Sequence, residues 1–182
     1  MKVKSVSILA SVVAVCLGLF SSCKTDTGNS PNEYITTLKV VAQNLSTNHS
    51  DTFEYVNFYE AKNNPPLYVD TVRLNANATY AVQVLLLNEA SNPVQYLTDT
   101  IIGRADIHLM GYNVDPSSGF LSVKMNDKDS KGLPLGMMCT WSASGPSFGL
   151  LRMILRHQQG SKNGTETPGS TDFEADFPVV VR

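Results

Sequence analysis

The chain is poor in charge and in cysteine. Only 16% of its 182 residues are charged, and fourteen Lys and Arg against sixteen Asp and Glu leave a net charge of −2. Without a clustered basic face there is no electrostatic footprint for nucleic acid. Three cysteines, Cys16, Cys23 and Cys139, are too few for a disulfide scaffold. There is no sustained heptad, which excludes a coiled coil, and no internal repeat. No Gly-rich loop leads into a phosphate-binding helix, and the carboxylates are too scattered to assign an acid and a base. Catalysis is therefore not expected. What is abundant is apolar residues, 42% of the chain, too many for a disordered polymer.

The N-terminus reads as an address. Lys2 and Lys4 precede a nearly unbroken apolar stretch from Val6 to Phe20, followed by Ser21, Ser22 and Cys23. A charged start, a short apolar core and small residues before a cut describe a secretory signal. The stretch is shorter than the ~18–20 residues that span a bilayer. Ser21-Ser22-Cys23 resembles a bacterial lipobox, with Phe20 where Leu is usual, a relaxed form found in Bacteroidota. This predicts a signal peptide over 1–22, acylation of Cys23 and a membrane held through lipid. Each buried CH₂ of an acyl chain contributes about 0.8 kcal/mol, so several chains anchor firmly. Cleavage before Cys23 leaves 160 of the 182 residues and moves the net charge from −2 to −4, because Lys2 and Lys4 depart. Cys139 is then the lone thiol, read as a small apolar core filler. Residues 23–33, polar with Gly and Pro, read as a flexible tether, and 34–182 as the domain.

Period-two alternation dominates the domain. Expected strands run over 34–42, 52–59, 67–74, 79–87, 107–114, 120–125, 137–142, 148–156 and 173–181, with turn residues between them. Pro178 lacks an N–H, so the last strand is expected to end, bulge or lie at an edge there. Leu97, Ile101 and Ala105 recur at a spacing of four and predict one short helix at about 95–105. The fold class is all-β, an antiparallel immunoglobulin-like β-sandwich. The polar stretch 158–171 reads as a mobile loop. It and loop 126–136 are the expected contact elements, because loops on a rigid sheet carry function.

Two groups of side chains suggest a metal. Asp127-x-Asp129-x-Lys131-Gly132 resembles the start of a calcium loop, in which alternate carboxylates converge on a hard cation and Gly allows the bend. Lys131 stands at the fifth ligand place, and the alternative is a polar hairpin with Asx-turns. His108 and His157 each lie near a strand end, with Asp106 or Asp172 as a carboxylate partner, a set suited to zinc or copper. Met110 and Met153 are candidate soft ligands or core fillers. His49 is read as a loop residue. Ser147, between Gly145 and Gly149, imitates a nucleophile elbow in letters, but a strand rather than a helix is expected after it. Asp70-Thr71-Val72 and Asp99-Thr100-Ile101 match a short bacterial O-glycosylation pattern.

Several segments carry a resemblance. They are Asp127 to Gly136, Trp141, Leu155-Arg156-His157-Gln158, Thr171 to Phe177, Leu74 to Tyr80 and Leu87-Asn88-Glu89. Over roughly 34–181 the chain resembles a family of Bacteroidota envelope lipoproteins labelled type 1 periplasmic binding-fold-like, often encoded beside TonB-dependent receptors. The resemblance implies an outer-membrane lipoprotein acting as an accessory to TonB-dependent uptake of a small ligand or metal. The alternative is a structural or surface-coat lipoprotein with no small-molecule ligand. The family label implies an α/β fold, whereas the strand periodicity argues for the sandwich.

Overall fold

The computed structural model describes residues 34–58, 65–117 and 119–182. The expected signal peptide, the Cys23 acylation site and the tether 23–33 lie outside the described residues. Among the described residues eleven strands and one helix follow in order: β1 (Thr37–Asn44), β2 (Ser50–Val56), β3 (Tyr68–Val69), β4 (Val72–Leu74), β5 (Thr79–Asn88), β6 (Gln95–Tyr96), α1 (Thr98–Gly103), β7 (His108–Asp115), β8 (Leu121–Met125), β9 (Met138–Ala143), β10 (Ser147–His157) and β11 (Ser170–Val181). Among the described residues no helix is long and apolar enough to cross a membrane.

The strands form two layers, an all-β sandwich. The larger sheet runs β3-β2-β1-β5-β9-β8, with β6 also pairing β5; the smaller runs β4-β11-β10-β7. All pairings are antiparallel except β4 with β11. Seven strands and four exceed the seven in total of a constant-type immunoglobulin domain.

Alternation explains the layers. In β1 Leu38, Val40 and Ala42 turn inward; in β5 Tyr80, Val82, Val84 and Leu86 do so; in β11 Phe173, Ala175, Phe177, Val179 and Val181 meet them from the other sheet. Successive side chains point to opposite faces, so one apolar set every second residue makes one core. Tyr55 sits edge-on to Phe173 and Phe177, with ring centroids 5.7 and 6.0 Å away. Cys139 is buried in this core, where desolvation pushes its thiol up to about 11, the state of an inert filler.

Two expectations change and a third is narrowed. The single strand over 67–74 is two short strands in different sheets, because β3 pairs β2 while β4 pairs β11. The helix is confined to Thr98–Gly103; Gln95 and Tyr96 pair with β5, and Thr98 Oγ1 accepts from the Leu86 amide at 2.9 Å. Pro178 neither ends its strand nor bulges it. β4 registers only with Val179 to Val181, so at Pro178 the strand has β10 as its one neighbour and is locally an edge, the third of the expected alternatives. The β-bulge of this strand pair lies elsewhere, at Leu155/Arg156.

Candidate metal centre

Strand pairing brings the two expected histidines together. β7 and β10 place His108 and His157 directly opposite each other, and their rings meet edge-to-face with centroids 5.0 Å apart. The carboxylate comes from β11. Leu155 pairs with Phe173 and Arg156 with Thr171, leaving Asp172 as the extra residue of the bulge. Strict alternation would turn Asp172 away from the inward-facing Phe173. A bulge re-aims the side chain it inserts; Asp172 Oδ2 accepts a hydrogen bond from His157 Nδ1 at 3.2 Å, whose hydrogen a metal ion would replace, and lies 3.6 Å from His108 Nε2. The ligand atoms of the three residues all lie within 4.8 Å of one another.

The protonation pattern suits a cation. His108 Nδ1 is 3.0 Å from the Arg104 carbonyl oxygen, which can only accept, so Nδ1 carries the hydrogen. In the neutral ring, Nε2 then presents a lone pair toward the Asp172 carboxylate. His108 and the Asp172 side chain are fully buried, and His108 Nε2 and Asp172 Oδ1 have no hydrogen-bond partner among the described residues. Lone pair against carboxylate in a dry site is repulsive unless a positive charge, a proton or a metal ion, lies between them. Zinc bonds of about 2.0–2.2 Å in a tetrahedral arrangement set ligand atoms about 3.4 Å apart. The observed separations of 3.2 and 3.6 Å bracket that value. A histidine ligand whose other nitrogen donates to a main-chain carbonyl is the usual outer support of such a site. The His157 side chain keeps 11% exposure, whereas those of His108 and Asp172 keep none.

The other candidates fall out differently. Met110 and Met153 are wholly buried in the core, two and four residues along their strands from the histidines; Met153 is displaced by about 13 Å at ~3.3 Å per residue. Asp106 is exposed in the turn before β7. His49 is exposed beside Asp51, and Ser147 opens β10 with no helix after it. Thr100 is exposed on α1, whereas Thr71 is half-buried.

In the expected calcium loop the carboxylates are already engaged. Asp127 accepts from the Gly136 and Met137 amides at 2.8 and 2.9 Å. Asp129 Oδ1 accepts from the Lys131 and Leu133 amides, both at 2.9 Å, as an Asx-turn does. Its Oδ2 lies 3.0 Å from Lys162 Nζ. Burial pushes the Asp129 carboxyl up, but the Lys162 ammonium and the two amides outweigh it and hold the group below its ordinary value. Lys162 fills the place a cation would take.

Lys162 and Glu166 carry structural roles that the sequence did not signal. Lys162 donates to the Ala105 carbonyl at 2.8 Å as well as pairing Asp129. Glu166 lies over Gly111, where any side chain would collide with it, and accepts from the outward amide of Tyr112 at 3.1 Å and from Asn113 Nδ2 at 3.0 Å. It thereby caps an outer-edge group of β7, the last strand of its sheet. Gln158 donates to the carbonyls of Thr165 and Pro168. The stretch expected to be a mobile loop is tied to the body through Lys162 and Glu166 and braced within itself by Gln158.

No protein-family model matches the chain, and no curated protein and no solved structure matches it either.

Proposed function

We propose that the chain is a lipid-anchored, non-catalytic module of the bacterial outer membrane that binds one transition-metal ion through His108, His157 and Asp172. The convergence of three ligand atoms around a buried imidazole nitrogen with no hydrogen-bond partner supports the metal. Two nitrogens and one carboxylate oxygen suit Zn²⁺ or Cu²⁺, and the absence of a thiolate or thioether in the set disfavours Cu⁺. The signal-like residues 1–22 and the lipobox-like Ser21-Ser22-Cys23 support the anchor. The resemblance to lipoproteins encoded beside TonB-dependent receptors supports an accessory role in metal uptake.

Thermal melts of the metal-stripped mature chain test the metal reading. Zn²⁺ is expected to raise the midpoint and Ca²⁺ to leave it unchanged. The zinc shift should vanish in His108→Ala and in His157→Ala. Flat melts with zinc and with copper would overturn the metal reading and favour the surface-coat alternative. Purification of the native protein with its membrane neighbours tests the uptake role; recovery of no transporter component would count against it.

A further inference from the structure

Exposed aromatic and aliphatic side chains gather where the chain enters the domain. The pairing registers define one row across the rim of the larger sheet: Tyr68 opposite Val56, Val56 opposite Thr37, Thr37 opposite Leu87, and Leu87 opposite Tyr96. Four strand spacings of about 4.8 Å make this row roughly 19 Å wide. Tyr34 lies three residues before Thr37, and its hydroxyl donates to the Phe58 carbonyl at 2.8 Å. The Leu67 amide donates to Val56, beside the same row. Tyr34, Phe58, Leu67, Tyr68, Val94 and Tyr96 are all exposed, Tyr96 to 73%. The opposite end, where Asn77 bonds Ser144 and Ala76 bonds Arg182, carries Leu45 and the cross-strand pair Phe148 and Val180.

We infer that this rim is a bilayer-docking face, seated on the interfacial layer of the membrane that holds Cys23. The inference rests on the lipid-anchor reading. The eleven residue steps from Cys23 to Tyr34 span at most about 40 Å when fully extended, and less otherwise. A tether this short holds the rim near the membrane at a high effective concentration, so a contact too weak to form from free solution becomes populated. The side chains match the partner: tyrosine and phenylalanine concentrate at the membrane–water interface, where the ring is buried and the hydroxyl stays wet. Several of the described charged groups beside the rim are already occupied. Lys39 pairs with Glu54 and Glu89, and Asp70 accepts from Tyr68 and from the Glu54 amide. The contact is therefore apolar rather than a charge attraction to anionic lipid. The end of the smaller sheet that carries His108, His157 and Asp172 lies on this side of the body, because Phe173 packs on Tyr55.

Quenching by brominated phosphatidylcholine tests the face. The full lipidated chain is reconstituted in phosphatidylcholine vesicles as the parent and as Tyr68→Trp, Tyr96→Trp or Phe148→Trp. Brominated lipid should remove much of the added emission of Tyr68→Trp and Tyr96→Trp, and little from Phe148→Trp or from the parent, whose Trp141 is buried. Equal quenching at both ends, or none at the rim, would overturn the docking face. Melting midpoints identify any variant that disturbs the fold; Tyr96, the more exposed of the two rim tyrosines, then carries the test. The intact mass of the mature chain reports acylation separately. An acylated chain with an unquenched rim refutes docking alone, and an unacylated chain refutes both the anchor and the face.

Discussion

Two clusters of titratable side chains sit within one loop length of each other and behave oppositely. In loop 126–136 every carboxylate meets a donor: main-chain amides hold Asp127, and amides together with Lys162 hold Asp129. At the ends of β7, β10 and β11 Asp172 Oδ2 meets only His157 Nδ1, and among the described residues His108 Nε2 and Asp172 Oδ1 have neither a hydrogen-bond partner nor, unlike Asp129 Oδ2 beside Lys162, a lysine or arginine cation against them. In the sequence the acidic spacing and the two histidines read equally as metal candidates. Capacity to bind a cation depends on unspent lone pairs that converge, and residue type and spacing do not report how those lone pairs are spent.

The sharpest way to break the comparison is to remove the internal cation's partner. Asp129→Ala leaves the Lys162 ammonium buried and unpaired, with an expected loss of about 3–5 kcal/mol in urea unfolding. Asp129→Asn combined with Lys162→Met should cost less than the sum of the two single changes, since the two groups interact directly. Additivity would mean that the pair does not hold the loop.

The metal side of the contrast is next in size. Zinc at a hundred times its dissociation constant should stabilise the chain by about 2.7 kcal/mol. His108→Ala should abolish that gain, whereas Asp127→Ala should lower stability but leave the zinc increment intact. An increment lost in Asp127→Ala would place the ion in the wrong cluster.

The pH dependence separates the clusters again. Asp129 has its carboxyl held below the ordinary value in the folded chain. Its stabilisation is therefore complete above the unfolded value of about 3.9 and is lost as pH falls through the lower folded value. Urea midpoints followed down through that window should fall in the parent and fall less steeply in Asp129→Asn. The smallest effect is expected at the edge of β7. Glu166→Ala should cost about 1 kcal/mol and speed hydrogen exchange at the Tyr112 amide. Unchanged exchange there would show that Glu166 does not cap the edge.

The strands were legible because their signal is local. Leu38, Val40 and Ala42, or Phe173, Ala175 and Phe177, declare their inward face through neighbours two residues away. Asp172 was visible only as one of two possible carboxylates. Asp106, only two residues before His108 whereas Asp172 lies fifteen after His157, is exposed. The split of 67–74 between two sheets was missed because the stretch was read as one alternation, whereas the inward side changes from Val69 to Val72 and Leu74 across Asp70-Thr71, where the partner changes from β2 to β11. Lys162 and Glu166 gave no signal, because each reaches its partners from a polar stretch whose path depends on what it covers.

The amino-acid sequence by itself determined a two-layered β body and which side of each strand is buried, because side-chain alternation is a property of the backbone between neighbouring residues. Only the tertiary structure decided that His108 faces His157, that a bulge turns Asp172 toward both, and that Lys162 occupies the acidic loop. Those juxtapositions follow from strand register and chain crossings between residues far apart in sequence, and no local pattern encodes them.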